Sequence, residues 1–246
     1  MKVDFIVAGC QKGGTTSLDR YFRMHPEIRM PKIKELHFFD SDGYFSSDEV
    51  DYSDYHSLFP RKRYSQIYGE VTPSYMYWHD TPRRIFEYNP GIKIIIVLRN
   101  PIYRAYSHWN MQRQKGCERL QFLDAVKREE ATLRQSMEKQ SRRFSYIDRG
   151  FYVRQLLQIW LYFEKSQTCI IKGDDLINDR VATLNNIFIF LGVSRVSRVP
   201  LVTANSLGYE RKMTKSELTY LVDIYYDEIR TLENLLGWEC GDWLIP

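Results

Sequence analysis

The chain is 246 residues long, 43% hydrophobic, and carries 35 basic against 31 acidic side chains, for a formal charge of +4. This composition excludes a disordered chain, and so small a positive excess excludes a nucleic-acid binder that works by charge. The length allows one full core, so a single domain over 1–246 is expected.

The elements can be taken in chain order. Val3 to Ala8 predicts a buried strand, and Thr15 to Met24 predicts a helix ended by His25-Pro26. Glu35 to Phe39 is expected to be a short extended segment, and Tyr64 to Tyr68 a strand ending at Gly69-Glu70. Thr81 to Tyr88 predicts a helix, after which Asn89-Pro90-Gly91 turns the chain into Lys93 to Leu98. That run holds consecutive isoleucines and a valine, as suits a parallel strand covered on both faces. Pro101 opens a helix to about Arg113, and Leu120 to Gln135 predicts a charged surface helix. Ser136 to Ser145 is polar and basic, with Lys139, Arg142 and Arg143, and predicts a mobile loop.

Tyr152 to Phe163 predicts a helix, Thr168 to Ile171 a strand, and Val181 to Leu191 a helix stopped by Gly192. Arg195 to Leu207 reads as irregular, and Ser216 to Leu236 as a long amphipathic helix opened by Thr214 or Ser216. Strands separated by helices predict an α/β, three-layer fold with a mostly parallel central sheet. Ligands of such sheets bind beyond the carboxyl ends of the strands.

Chemistry concentrates in Phe5-Ile6-Val7-Ala8-Gly9-Cys10-Gln11-Lys12-Gly13-Gly14-Thr15-Thr16-Ser17. An apolar run, a glycine turn with a lysine, and hydroxyl residues opening a helix together suit an anion. Helix-start amides have no intrahelical partner, and the dipole adds positive charge there. Gly13 and Gly14 let the backbone approach a phosphate or sulfate, and Lys12 supplies a full charge. A Walker A loop would end in Gly-Lys-Ser/Thr; here the lysine precedes the glycine pair.

That arrangement resembles the 5′-phosphosulfate loop of sulfotransferases that use 3′-phosphoadenosine 5′-phosphosulfate (PAPS). Ile94-Ile95-Ile96-Val97-Leu98-Arg99-Asn100-Pro101 with Arg104-Ala105-Tyr106-Ser107 resembles the family's 3′-phosphate motif. Lys34-Glu35-Leu36-His37-Phe38-Phe39-Asp40 is similar to the catalytic strand of the heparan sulfate glucosaminyl type. The resemblance implies a P-loop-like fold and PAPS as donor, without a metal. Lys12 and the amides of Gly13, Gly14, Thr15, Thr16 and Ser17 would hold the 5′ end, and Arg99 with Ser107 the 3′-phosphate.

Glu35 would be the general base, since an acceptor hydroxyl must lose its proton as the bond to sulfur forms. In an extended segment Glu35 and His37 would share a face, leaving Leu36 and Phe38 on the other. His37 would orient Glu35, relay a proton or contact the acceptor, and Asp40 would complete the network. Phe38 and Phe39 read as core, and Asn100 as support for its turn.

Arg211 and Lys212 match a basic segment that closes over the cofactor, although Glu210 stands where the family has glycine and the flanking cysteine pair of the heparan type is absent. Tyr152 resembles a further cofactor contact. Glu70, Tyr75 and Trp78 are expected to line the acceptor side. The heparan type has basic residues at the positions of Thr16 and Val71, so a neutral or mildly charged acceptor is expected: a sugar, glycolipid or natural-product hydroxyl, with an amine as a variation. Charge from Arg142 and Arg143 is the counter-indication.

Two alternatives share these residues. A P-loop nucleotide kinase would need a Gly-Lys-Ser/Thr lysine and a magnesium carboxylate, and a non-catalytic nucleotide binder would have no need of Glu35. Cys10, Cys117, Cys169 and Cys240 show neither C-x-x-C pairing nor metal-ligand spacing. With the first strand beginning by Val3, no signal segment is expected, and no apolar run in the sequence reaches membrane-spanning length. Many animal members carry an N-terminal Golgi anchor; this chain is expected to be a soluble cytoplasmic protein with reduced thiols.

Overall fold

The computed structural model describes residues 2–47, 49–61, 65–135, 140–202 and 208–245. Two compact units emerge: Met1–Arg99 with Gln158–Ala204, and Asn100–Leu157 with Asn205–Pro246.

The first unit holds the sheet. Strands β1 (Phe5–Gly9), β2 (Ile28–Arg29), β3 (Ile67–Val71), β4 (Lys93–Leu98) and β5 (Thr168–Lys172) lie in the order β2-β3-β1-β4-β5, and every pairing is parallel. Helices α1 (Thr15–Met24), α2 (Ser53–Ser57), α3 (Thr81–Tyr88), α7 (Asp175–Asn178) and α8 (Arg180–Leu191) belong to this unit. Alternation along the strands decides what each face packs. Phe5, Val7, Ile95 and Val97 meet Leu18 and Phe22 of α1 and Leu184 and Phe188 of α8. Ala8 and Ile94 turn the other way and meet Met76, Ile85 and Ile159. Each such side chain contributes about 1.5–3 kcal/mol on leaving water.

The second unit is built on α4 (Pro101–Gln114), α5 (Phe122–Gln135) and α9 (Lys215–Leu236), with most of α6 (Tyr152–Trp160). Asn100 caps α4, its side chain accepting from the Ile102 amide at 2.9 Å. Thr214, rather than Ser216, opens α9 through a reciprocal capping box with Glu217.

The α/β expectation holds, and α1, α3 and β4 have the expected bounds. Three short elements, β2, α2 and α7, give no periodic signal and lie outside the sequence expectations. Of the expected strand from Tyr64, the described part begins at β3, and Tyr64 lies outside the described residues; so do 136–139 of the expected loop and 203–207 of the irregular stretch. The segment Glu35 to Phe39 is not a strand: Glu35 and His37 take φ of 63° and 54°, in the left-handed region. Among the described residues, no helix is long and apolar enough to cross a membrane.

Candidate active site

Three neighbouring strand ends carry the candidate residues of the first unit. In the middle, after β1, the chain is anchored by the Cys10 amide donating to the Val97 carbonyl at 2.8 Å. Lys12 then takes φ 71°, and Gly14, the residue before α1, takes φ 106°. A Cβ on Gly13 would stand 2.5 Å from the Val97 carbonyl oxygen and 2.9 Å from Cys10 Sγ, so only glycine fits. Ser17 and Leu18 donate to the Gly14 carbonyl. The amides of Thr15 and Thr16 precede the first intrahelical bond and carry the positive end of the helix dipole. The Thr15 side chain is buried, so what it offers a ligand is its amide, whereas Thr16 is exposed and Lys12 and Ser17 are half-buried.

On the β4 side, Arg99 Nη1 donates to the Lys12 carbonyl at 3.3 Å. The two residues singled out in the sequence for their charge therefore touch, guanidinium to backbone carbonyl, at adjacent strand ends. Arg99 also props the lysine loop, a role its sequence position did not reveal.

On the β3 side lies a network of acid and imidazole. His37 Nδ1 is 3.0 Å from Asp40 Oδ2, and its Nε2 is 3.8 Å from Glu35 Oε2. Lys34 pairs with Glu35, and Ser74 Oγ donates to Asp40 Oδ2 at 2.7 Å. Glu35 and His37 do share a face, but through paired left-handed turns rather than strand alternation. Hydrogen bonds donated by His37 to Asp40 and Glu35 raise its pKa to about 9 against the cost of burial. Burial pushes the Glu35 carboxyl up, but the His37 hydrogen bond and the Lys34 charge outweigh it and hold the group at about 2. At neutral pH the pair is an imidazolium beside a carboxylate.

Five hydrogen bonds hang this loop from the segment after β3. Glu35 N donates to Val71 O at 3.0 Å, Leu36 N to Thr72 Oγ1 at 3.1 Å, Phe38 N and Phe39 N to Tyr75 Oη at 3.0 and 3.4 Å, and Ser74 supplies the bond to Asp40. Phe38 and Phe39 are core, as expected. The expectation that Glu70 and Tyr75 line the acceptor side is corrected: both are fully buried, and Tyr75 serves as the loop's support. Trp78 is half-buried. Lys34, Thr72 and Ser74 were missed as site residues. Only the contact across 34 positions between Asp40 and Ser74 reveals the serine.

In the second unit, Ser107 lies on α4 with 8% of its surface exposed. Tyr152 is fully buried, which corrects its reading as a cofactor contact in favour of packing. Arg211 forms a two-pronged pair with Glu217 at 2.8 and 2.5 Å, so its fork is engaged within its own unit, while Lys212 is exposed. Glu210 pairs with Arg113 at 2.9 Å.

A parallel sheet whose middle strand end carries a glycine-lysine loop, flanked by an arginine and an acid–imidazole network, defines an α/β protein with a P-loop-like fold. The family model described as sulfotransferase domain matches residues 2–218, and the chain belongs to that family. Human heparan sulfate glucosamine 3-O-sulfotransferase 6 is 32% identical over 194 residues, covering 78% of this chain and 52% of the relative. The chain thus spans about half the length of the curated relatives it matches. A crystal structure of a sulfotransferase from Alicyclobacillus acidocaldarius superposes with TM-score 0.83 and 27% identity over 99% of both chains. The mouse sulfotransferase SULT7A1 complexed with PAP, at 18% identity and TM-score 0.50, covers 80% of this chain and 61% of its own, and shows the fold alone.

Proposed function

We propose that this chain moves a sulfuryl group from PAPS to a hydroxyl of a carbohydrate, glycolipid or small natural product, with an amine acceptor as the variation. The observation that carries this reading is the order across the sheet: base network hung from the segment after β3, anion loop after β1, arginine after β4. The fit to the donor rests on the loop's backbone, with Gly14 at φ 106° and the Thr15 and Thr16 amides ahead of the first intrahelical bond.

PAPS, when bound, supplies a sulfuryl group already activated on a 5′-phosphate. Lys12 and the amides of Gly14, Thr15 and Thr16 would hold that phosphate and offset the charge that grows on it, the Gly13 and Ser17 amides being engaged by the Cys10 and Gly14 carbonyls, and Arg99 would bind the 3′-phosphate. Glu35 accepts the acceptor's proton. A carboxylate held near 2 is a weak base. It suffices where the proton leaves late, once bond formation to sulfur has made the hydroxyl acidic. His37 and Lys34 keep Glu35 ionised and oriented. A neutral or mildly charged acceptor is supported by Thr16, which is exposed and uncharged, and by Val71, whose side chain lies in the core and leaves no room for an anchoring cation.

Calorimetry tests the donor. Adenosine 3′,5′-bisphosphate is expected to bind at least about tenfold, or 1.4 kcal/mol, tighter than ATP. Equal affinities, or a preference for ATP, would reject the reading in favour of a kinase. Turnover across an acceptor panel then separates an enzyme from a binder, and heparan-like chains outcompeting neutral sugars would overturn the acceptor class.

The ion pair also gives a stability profile. His37 is raised from 6.5 to about 9, so its stabilisation is complete below 6.5 and lost as pH rises through 9. Glu35 is lowered from 4.5 to about 2, so its stabilisation is complete above 4.5 and lost as pH falls through 2. His37→Ala is expected to lower Tm by a few degrees between pH 4.5 and 6.5, with the deficit shrinking above 9. Thermal melts across pH check this, and a pH-independent deficit would refute it.

A further inference from the structure

Glu70 is a fully buried acid of the first unit that the reaction does not use and, unlike Asp19 with its Arg23 partner, it has no ion pair among the described residues. It sits on β3 opposite Ile6, with none of its surface exposed. Neither carboxyl oxygen, nor the Tyr55 hydroxyl, makes a hydrogen bond of full geometry, and the groups that bond to the acid are the Tyr55 and Tyr75 hydroxyls. The titratable groups that act on it are Tyr55 from α2, Tyr75, Asp40 and His37 from the loop above, and Tyr88 from α3. No cation lies among them except His37, which Asp40 and Glu35 already engage.

Full burial with no unengaged cation beside it decides the state of this acid. The Tyr75 oxygen already accepts from two amides, so it has only its own hydrogen left to give. A neutral carboxyl takes that hydrogen on its carbonyl oxygen and gives its own to the Tyr55 oxygen, whereas an ionised one accepts from both hydroxyls, and both bonds favour the charge against burial. An ionised one would be a dry charge facing Asp40, which costs far more. Burial, the main influence, pushes the Glu70 pKa up to about 8.

We propose that Glu70 is a positioning residue that works as a neutral acid: hydrogen-bonded between Tyr55 and Tyr75, it fixes the Tyr75 hydroxyl beneath the Phe38 and Phe39 amides and so holds the Glu35–His37–Asp40 network in place. This rests on the sulfuryl-transfer reading only for what that network does.

Infrared difference spectra of wild type against Glu70→Gln at pH 7 are expected to show a protonated carboxylic-acid band that the variant lacks. Absence of that band overturns the neutral state. Amide exchange reads the positioning: Glu70→Ala is expected to speed exchange at Phe38 and Phe39 at least tenfold, and Glu70→Gln to restore protection. Should Glu70→Ala not fold, Tyr75→Phe carries the same expectation. Unmoved exchange in the variant that folds overturns the role.

In turnover, Glu70→Ala should lose at least tenfold in kcat at unchanged KM for PAPS, with rescue by Glu70→Gln. A glutamine variant as poor as alanine overturns the proposal. If wild type transfers no sulfuryl group at all, the functional reading fails, and the infrared and exchange results still decide Glu70. Because the folded pKa is raised, wild-type stability falls as pH rises from 4.5 towards 8. The Tm of Glu70→Gln should therefore exceed that of wild type at pH 8 and match it at 4.5, and equal melts at both overturn the neutral state.

Discussion

Glu35→Gln is expected to lower kcat by about 10²–10⁴-fold, the range a positioned base contributes, while affinity for adenosine 3′,5′-bisphosphate stays within about twofold, far less than one tenfold step of 1.4 kcal/mol. The reason is local. Glutamine keeps the shape and the hydrogen bonding to Lys34 and His37 but cannot take a proton. The nucleotide contacts lie on the neighbouring strand ends, where the substitution changes nothing. Steady-state kinetics with a turned-over acceptor, alongside calorimetry, separates the two effects. Undiminished turnover would remove Glu35 as base and leave His37 as the group to examine.

Arg99→Ala is expected to weaken adenosine 3′,5′-bisphosphate by about 10–100-fold, since hydrogen bonds to a charged group contribute about 1.5–3 kcal/mol. The loss should be confined to the 3′-phosphate. Adenosine 5′-phosphate, which lacks it, should weaken by less than about threefold, well under 1.4 kcal/mol, a residue that reflects the lost prop on the Lys12 carbonyl. Arg99→Lys should fall between, because an ammonium keeps the charge without the planar fork. Equal losses for both nucleotides would mean that Arg99 acts only through the loop it braces.

Much of the frame was legible because its signals are local. The apolar run of β4, the Pro-opened α4 and the glycine stop after α8 each declare themselves within a few residues. The lysine loop was legible for the same reason, since close approach and left-handed backbone demand glycine where glycine is found. The base network was legible in membership but not in shape. Nothing in Glu-Leu-His-Phe-Phe-Asp specifies two left-handed residues; that conformation comes from bonds to a segment about 36 positions downstream. Glu70 was misread because an acid at a strand end ordinarily faces solvent or ligand. Only the tyrosines brought over it by α2 and the turn after β3 show it to be interior.

The suspension of the 35–40 loop from residues 71–75 has a consequence for how such a catalyst diversifies. Reach between base and donor is set by a ruler of adjacent parallel strands, about 4.8 Å per step, rather than by the flexing of a surface flap. Acceptor-facing segments elsewhere can then be exchanged, lengthened or grafted from a relative without re-aiming the chemistry. New acceptor preferences should be reachable by swaps that leave Thr72, Ser74 and Tyr75 untouched.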